Sequence, residues 1–222
     1  MMKYGIRILL IFSAYLLVCA LGYLGFATYK NNLIGWFLFL TALLYGLGGP
    51  YLLRSNLKRN GVIHQERQDR SFWLILPGFL VVFYASPLEY LYIPEILQGC
   101  RTTWIQFAGL ALIVASLLLF GWARITLKDM YSGRIQVQAG HILIQNGPYS
   151  LIRHPAYASY IIMCLGIAIG FSSLIGLVAV PLLLAPGFIY RINVEEEILS
   201  AEFGEQYICY VRNTKRLVPF IW

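Results

Sequence analysis

Apolar runs of about twenty residues, separated by short segments that carry the Lys and Arg, alternate along this 222-residue chain. A run of that length suits a helix crossing a bilayer, which takes about 20 residues. Alternation of such runs with basic gaps is the pattern of a polytopic membrane protein. Composition agrees with it. The chain is 59% apolar and 12% charged, whereas a soluble domain is about 45–50% apolar and about 25% charged. The same balance excludes a disordered chain, a collagen-like repeat and a disulfide scaffold.

The formal charge of +7 lies in the gaps and forms no basic stripe interleaved with aromatics. It reads as a topology signal and as attraction to anionic headgroups. The expected partner is therefore the lipid bilayer and not nucleic acid. Cys19, Cys100, Cys164 and Cys209 are far apart. No Cys-x-x-Cys or Cys/His ligand spacing exists, so neither a disulfide nor a metal is expected.

The first run extends from Ile6 to Tyr29 and continues well past any signal-peptide cleavage point, so it reads as a retained span. A second covers Leu33 to Leu53. A third, Phe72 to Tyr92, is interrupted by Pro77 and Pro87, and a fourth runs from Thr103 to Leu127. The stretch from Ala156 to Tyr190 is too long for one crossing and is broken by Ser172-Ser173, so it reads as a helical hairpin. The expected fold is all-α: a polytopic transmembrane bundle of about six spans, with a helical hairpin and a cytoplasmic C-terminal helix. Residues 1–222 read as one integral membrane domain, with 1–127 as a four-span scaffold and 128–222 as connector, hairpin and C-terminal segment. Arg54, Lys58, Arg59, Arg67 and Arg70 after the second run, and Arg124, Lys128, Arg134 and Arg153 around the connector, outweigh the opposite loops, which hold Lys30 on one and Glu89, Glu95 and Arg101 on the other. That asymmetry puts both termini in the cytoplasm. The short chain and the lack of retention motifs favour a prokaryotic inner membrane over the endoplasmic reticulum.

Chemistry concentrates after Arg134. In Gly147-Pro148-Tyr149-Ser-Leu-Ile-Arg153-His154-Pro155-Ala156-Tyr157, Gly147-Pro148 signals a turn. His154 precedes a proline and is pushed from helical toward extended backbone. Pro155 fits the first helical position, where its missing N–H is no loss. His154 is thus expected beside free N–H groups at the positive end of a helix, a place suited to a ligand carboxylate. The alternative is that Arg153 and His154 only snorkel to headgroups. His141, alone in its loop, carries the same ambiguity.

A second block, Arg191-Ile-Asn193-Val-Glu195-Glu196-Glu197, has two readings. In a continuous helix Arg191 and Glu195 share a face, and charges this close to an apolar hairpin point to function. Alternatively Asn193 caps a new helix, with Glu196 three residues on.

Together the blocks give G-P-Y, R-H-P-x-Y, an apolar hairpin, R-x-x-x-E-E, then Phe203-Gly204-x-x-Tyr207-x-x-Tyr210 and Thr214-x-Arg216-x-x-Pro219. This order resembles the isoprenylcysteine carboxyl methyltransferase family, with its relatives among phospholipid and thiol methyltransferases. The likeness covers about Gln136 to Pro219. It implies S-adenosylmethionine as cofactor, leaving as S-adenosylhomocysteine, and a lipophilic or prenylated acceptor. Carried over residue by residue, it implies cofactor contacts from His141, Ile142, Leu143 and Ile144, largely through main chain. Tyr149, His154, Pro155, Ala156, Tyr157 and Glu195 would add to them, with Gln138 or Gln136 as a family glutamine. It implies that Arg191 meets the substrate. Ser159 departs from the pattern, since the family often has Gly there.

The implied chemistry suits these residue types. Methyl transfer from a sulfonium is an in-line displacement, so alignment and exclusion of water supply most of the acceleration. A carboxylate acceptor is already anionic and needs a forked cation more than a base. A phospholipid amine or a thiol would need a base, for which Glu195, Glu196 or His154 would have to serve. A sterol-type membrane reductase and a non-catalytic membrane protein are the remaining readings.

Overall fold

A computed structural model describes residues 71–93, 101–128, 142–219 and 222. The chain divides into two units, Met1–Asn60 and Gly61–Trp222, and every described residue belongs to the second. The first two apolar runs, Gln136, Gln138 and His141 lie outside the described residues.

Among the described residues the structure is helical, with one isolated parallel bridge between Ile152 and Lys215. Helix α1 comprises Ser71–Leu80, a π-helical stretch Val81–Ala85, and Ser86–Tyr92. Helix α2 is Thr103–Leu127. Helix α3 is Pro155–Gly170, and a turn through Phe171–Ser173 leads into α4. That helix consists of Leu174–Ala179, a π-helical stretch Val180–Leu184, and Ala185–Phe203. Helix α5 is Glu205–Asn213. Three of these, over Trp73–Tyr90, Thr103–Leu127 and Leu174–Phe203, are long and apolar enough to cross a membrane, and Pro155–Gly170 is a shorter apolar helix.

The prolines do not end the long helices. Each π stretch is followed closely by a proline, Pro87 or Pro186. A proline has no N–H for the carbonyl four residues back, here Phe83 or Leu182. The wider i→i+5 turn lets the next N–H serve instead, which explains why the π register sits at these two places. The hairpin turns where Ser172-Ser173 predicts it, with Ser172 at φ +49°.

Apolar packing in a bilayer relies on close contact, because lipid tails are as apolar as Leu. Helices α2 and α3 therefore touch backbone to backbone. A Cβ on Gly109 would lie 2.5 Å from Gly170 Cα and 2.6 Å from the Gly166 carbonyl oxygen. Helices α1 and α4 approach through Gly78 against Leu184 and Gly187 against Ile75. Between the two pairs sits an aromatic cluster: Tyr160 stacks on Phe188 at 6.2 Å, and Phe79 meets both edge-on. Trp73, Trp104 and Trp122 lie exposed on the bundle's flanks, where indole rings suit the headgroup level.

One acidic residue of the predicted loops is placed differently from expectation. Glu89, counted with the loop between the third and fourth runs, is inside α1 and 3% exposed. Its carboxylate accepts from Ser173 Oγ and from the N–H groups of Leu174 at 3.1 Å and Ile175 at 3.0 Å. Those are among the free N–H groups at the start of α4, so a carboxylate from α1 caps the second arm of the hairpin.

Candidate functional site

The site forms at the other end of the bundle, where four separate segments meet. The chain from Ile142 to Gln145 is irregular, and Ile142 is 62% exposed. A short 3₁₀ turn, Gly147–Ser150, follows. Tyr149 within it is buried, and Pro148 is buried beside it. His154 then takes φ −125° and ψ 59° just before Pro155 opens α3. The residue is outside helical space, as the following proline requires, though its ψ is short of a fully extended strand. His154 and Pro155 are buried, while Ala156 and Tyr157 are half-buried.

Helix α4 supplies the facing wall. It runs unbroken from Ala185 to Phe203, so Asn193 lies mid-helix and caps nothing. The reading of a new helix starting there is corrected. Nothing at Asn193 interrupts the i→i−4 ladder, and the chain instead breaks at Gly204, whose φ of +50° admits α5 at a new angle. Continuity puts Arg191 and Glu195 on one face, and Tyr157 joins them. The Tyr157 hydroxyl donates to Glu195 Oε2 at 2.6 Å and accepts from Arg191 Nε at 2.9 Å. The Arg191 guanidinium also donates to Ser71 Oγ at 3.1 Å and lies 5.6 Å from the Tyr157 ring centroid. Glu195 keeps 30% of its side chain exposed. Its Oε1 has no protein partner among the described residues.

The His154 ring stacks on Tyr157 with centroids 5.6 Å apart and planes 13° from parallel. Its Nε2 lies 3.3 Å from Glu196 Oε1. A carboxylate accepts, so the proton sits on Nε2. Nδ1 is left 3.9 Å from Glu195 Oε2, too far for a hydrogen bond.

Glu196 is the centre of a second set of bonds. Its Oε1 also accepts from Arg153 Nε at 2.8 Å, and its Oε2 accepts from Arg216 Nε at 3.0 Å and Nη2 at 2.7 Å. Arg153 is directed inward here: its side chain is 7% exposed and also donates to the Thr214 carbonyl. The snorkelling alternative is thereby corrected for Arg153, because the buried carboxylate and carbonyl hold it more firmly than headgroups would. The C-terminal segment is bound at the backbone as well. The N–H groups of Arg153 and His154 donate to the carbonyls of Lys215 at 2.7 Å and Arg216 at 3.0 Å. Helix α5 contributes Tyr210, whose hydroxyl donates to the Tyr149 carbonyl at 2.7 Å. Burial pushes the Tyr210 phenol up to about 12, so it remains a neutral donor across the working pH range.

Of the residues singled out by sequence, the structure brings together Tyr149, His154, Pro155, Ala156, Tyr157, Arg191 and Glu195. Ile142, Leu143 and Ile144 lead into the same turn. Sequence reasoning missed the joint role of Arg153, Glu196 and Arg216, and it missed Ser71. The signal available for the first three was the recurrence of Arg in R-H-P and T-x-R around an acidic pair. Ser71 carried no signal. Ser159 is buried, and its hydroxyl returns a 2.6 Å hydrogen bond to the Ala156 carbonyl, so it needs no outside partner.

A family model described as the isoprenylcysteine carboxyl methyltransferase (ICMT) family matches residues 108–201, from α2 through the hairpin to the end of the acidic segment. Protein-S-isoprenylcysteine O-methyltransferase B of Arabidopsis thaliana is 28% identical over 151 residues, 67% of this chain and 77% of that protein. The corresponding enzyme of Schizosaccharomyces pombe is 25% identical over 217 residues, 92% of this chain and 90% of that protein. A solved structure, the eukaryotic intramembrane Ras methyltransferase ICMT, shares the fold with a TM-score of 0.66 at 21% identity. The match covers 92% of this chain and 73% of that one. Matched segment, relatives along most of the chain and a shared fold point the same way: the chain is similar to the isoprenylcysteine carboxyl methyltransferase family.

Proposed function

We propose that this integral membrane protein transfers a methyl group from S-adenosylmethionine to the carboxylate of an isoprenylcysteine-type, lipophilic acceptor. The observation that carries the reading is the Arg191–Tyr157–Glu195 chain, in which one hydroxyl bonds a guanidinium at 2.9 Å and a carboxylate at 2.6 Å. It sets a cation suited to an acceptor carboxylate next to an anion suited to a cationic cofactor.

The residues fit that cofactor. Glu195 offers a half-open carboxylate with Oε1 unengaged among the described residues, a match for an ammonium or a hydroxyl group. The parallel rings of His154 and Tyr157 offer an aromatic face to a sulfonium. His154, Tyr157 and Glu195 would hold the cofactor, with Tyr149, Pro155 and Ala156 shaping the turn beneath it and Ile142, Leu143 and Ile144 along its edge. When bound, S-adenosylmethionine supplies an electrophilic methyl group on a positive sulfur.

The chain's own residues have three tasks. Arg191 orients the acceptor carboxylate, and its anchors on Ser71 and Tyr157 keep the fork from turning. Glu195 binds and orients on the cofactor side. The buried His154 ring, with Tyr157 stacked on it, excludes water, which strengthens both ionic contacts. No general base is required, because the acceptor oxygen is already ionised.

The test separates the two sides. Arg191→Lys keeps the charge and loses the fork, so S-adenosylhomocysteine affinity is expected within about threefold of wild type. Turnover of an S-farnesylcysteine analogue should fall about tenfold or more, equivalent to about 1.4 kcal/mol of lost alignment. Glu195→Gln is expected to weaken cofactor binding instead. Equal loss of cofactor affinity in both variants would overturn this division of roles, and no loss in either would overturn the site.

A further inference from the structure

The C-terminal segment does more than cover the site. Glu196 is a single carboxylate, 12% exposed, that accepts from Arg153, His154 and Arg216. These partners come from two places: Arg153 and His154 are adjacent at the approach to α3, and Arg216 lies in the tail after α5. Arg153 and Arg216 each bring a full positive charge to one carboxylate, and Arg216 alone uses two N–H groups on Oε2. With Oε2 occupied, Oε1 faces His154 Nε2 and Arg153 Nε. Arg216 thus engages one oxygen of the carboxylate with two N–H groups, while the other oxygen meets the His154 ring, the kind of outer contact that orients an imidazole.

The tail is itself fixed in register. Backbone N–H groups of Arg153 and His154 donate to Lys215 and Arg216 carbonyls. Thr214 Oγ1 donates to the Tyr210 carbonyl at 2.7 Å. The Arg216 guanidinium lies 5.5 Å from the Trp222 ring centroid. Arg216 bonds Glu196, whereas Arg191 bonds Tyr157 and Ser71.

We propose that Arg216 is a positioning residue for cofactor binding: acting through Glu196, it holds His154 in its binding orientation, so the C-terminal segment sets cofactor affinity. The inference rests on the methyltransferase reading above. It makes a prediction that a merely structural tail does not. Losing Arg216 weakens the cofactor side and spares the acceptor side, and the loss disappears when Glu196 can no longer transmit it.

The experiment uses the full-length chain in detergent, with S-adenosylhomocysteine binding measured by calorimetry and turnover measured with an S-farnesylcysteine analogue. Arg216→Gln is expected to raise the S-adenosylhomocysteine Kd and the S-adenosylmethionine KM about tenfold, about 1.4 kcal/mol, with kcat at saturating cofactor and the acceptor KM within about threefold. Arg216→Lys keeps the charge without the paired N–H groups and is expected to fall between the two. The double variant Arg216→Gln/Glu196→Gln is expected to bind no more weakly than Glu196→Gln alone. Unchanged cofactor affinity in Arg216→Gln overturns the proposal. So does a loss that adds fully to that of Glu196→Gln, or one confined to kcat. Should Arg216→Gln not fold, the same comparisons are made with Arg216→Lys, whose unchanged affinity likewise overturns it. Failure of the wild-type chain to bind the nucleoside at all overturns the methyltransferase reading itself. Binding by wild type with unaffected Arg216 variants overturns only the role of Arg216.

Discussion

Glu89 shows how much one side chain can hold in this bundle. A buried carboxylate is costly unless its lone pairs are used, and here one hydroxyl and two backbone N–H groups use them. Ser173 completes the cap by accepting from the Gly176 N–H at 2.9 Å. Glu89→Gln trades one acceptor oxygen for an NH₂ aimed at N–H donors. It is expected to lower stability by about 1–3 kcal/mol, and Ser173→Ala by about 1 kcal/mol. Thermal unfolding in detergent checks both. Cofactor affinity is expected to stay within about twofold, because the cap and the site lie at opposite ends of the hairpin; a large loss of affinity in a folded Glu89→Gln variant would contradict that separation. At this scale the sequence reveals local pairs and hides distant ones. Arg191 and Glu195 were legible as an i, i+4 pair. Glu196, whose partners lie 20 and 43 residues away, read as a cap because nothing in its own segment announces those partners. Glu89 read as a loop charge for the same reason.

Among the elements, boundaries set by hydropathy were legible almost to the residue, as with Thr103–Leu127 and the turn at Ser172-Ser173. The effect of the prolines was not. Pro77 and Pro87 look like breaks in the sequence, yet the helix continues through them, with a widened turn ahead of Pro87, since stopping would strand backbone groups in hydrocarbon. Close helix packing was equally hidden, because two glycines on α2 look alike in sequence. Gly109 faces the backbone of α3, whereas a Cβ on Gly121 would meet nothing within 4 Å. Gly109→Ala is therefore expected to destabilise by about 1–3 kcal/mol through overpacking. Gly121→Ala is expected to be neutral or stabilising by up to about 1 kcal/mol through helix propensity. Unfolding midpoints of the two variants in one detergent provide the comparison. Equal responses would mean that α2 and α3 do not pack through Gly109.

At the scale of the bundle, the charges of the described residues are divided between its two ends. Arg124 and Lys128 close α2 beside the 3₁₀ turn, where a Cβ on Gly147 would touch the Thr126 side chain. Arg153, Arg191, Arg212, Lys215 and Arg216 surround the same end. The opposite end, among the described residues, has Arg101, which donates to the carbonyls of Glu89 and Ile93 and lies over Tyr90. Cytoplasmic ends of spans carry the excess of Lys and Arg, so the site end is expected to face the cytoplasm. That orientation also suits the proposed chemistry, in which a polar cofactor would reach the site from the cytoplasm and a prenyl chain would enter from the bilayer. Helix α2, 25 residues long, extends about 37 Å at about 1.5 Å per residue and so brings both of its ends to water. Thr102 and Lys128 are exposed just beyond those ends, which makes them suitable reporters. In a background with the four native cysteines replaced, Thr102→Cys should react with an impermeant maleimide only from outside intact cells or right-side-out vesicles. Lys128→Cys should react only in inverted vesicles or after permeabilisation. The reverse pattern would place the cofactor pocket on the wrong side of the membrane and remove the orientation. Labelling of both positions from one side would show that α2 does not cross the membrane.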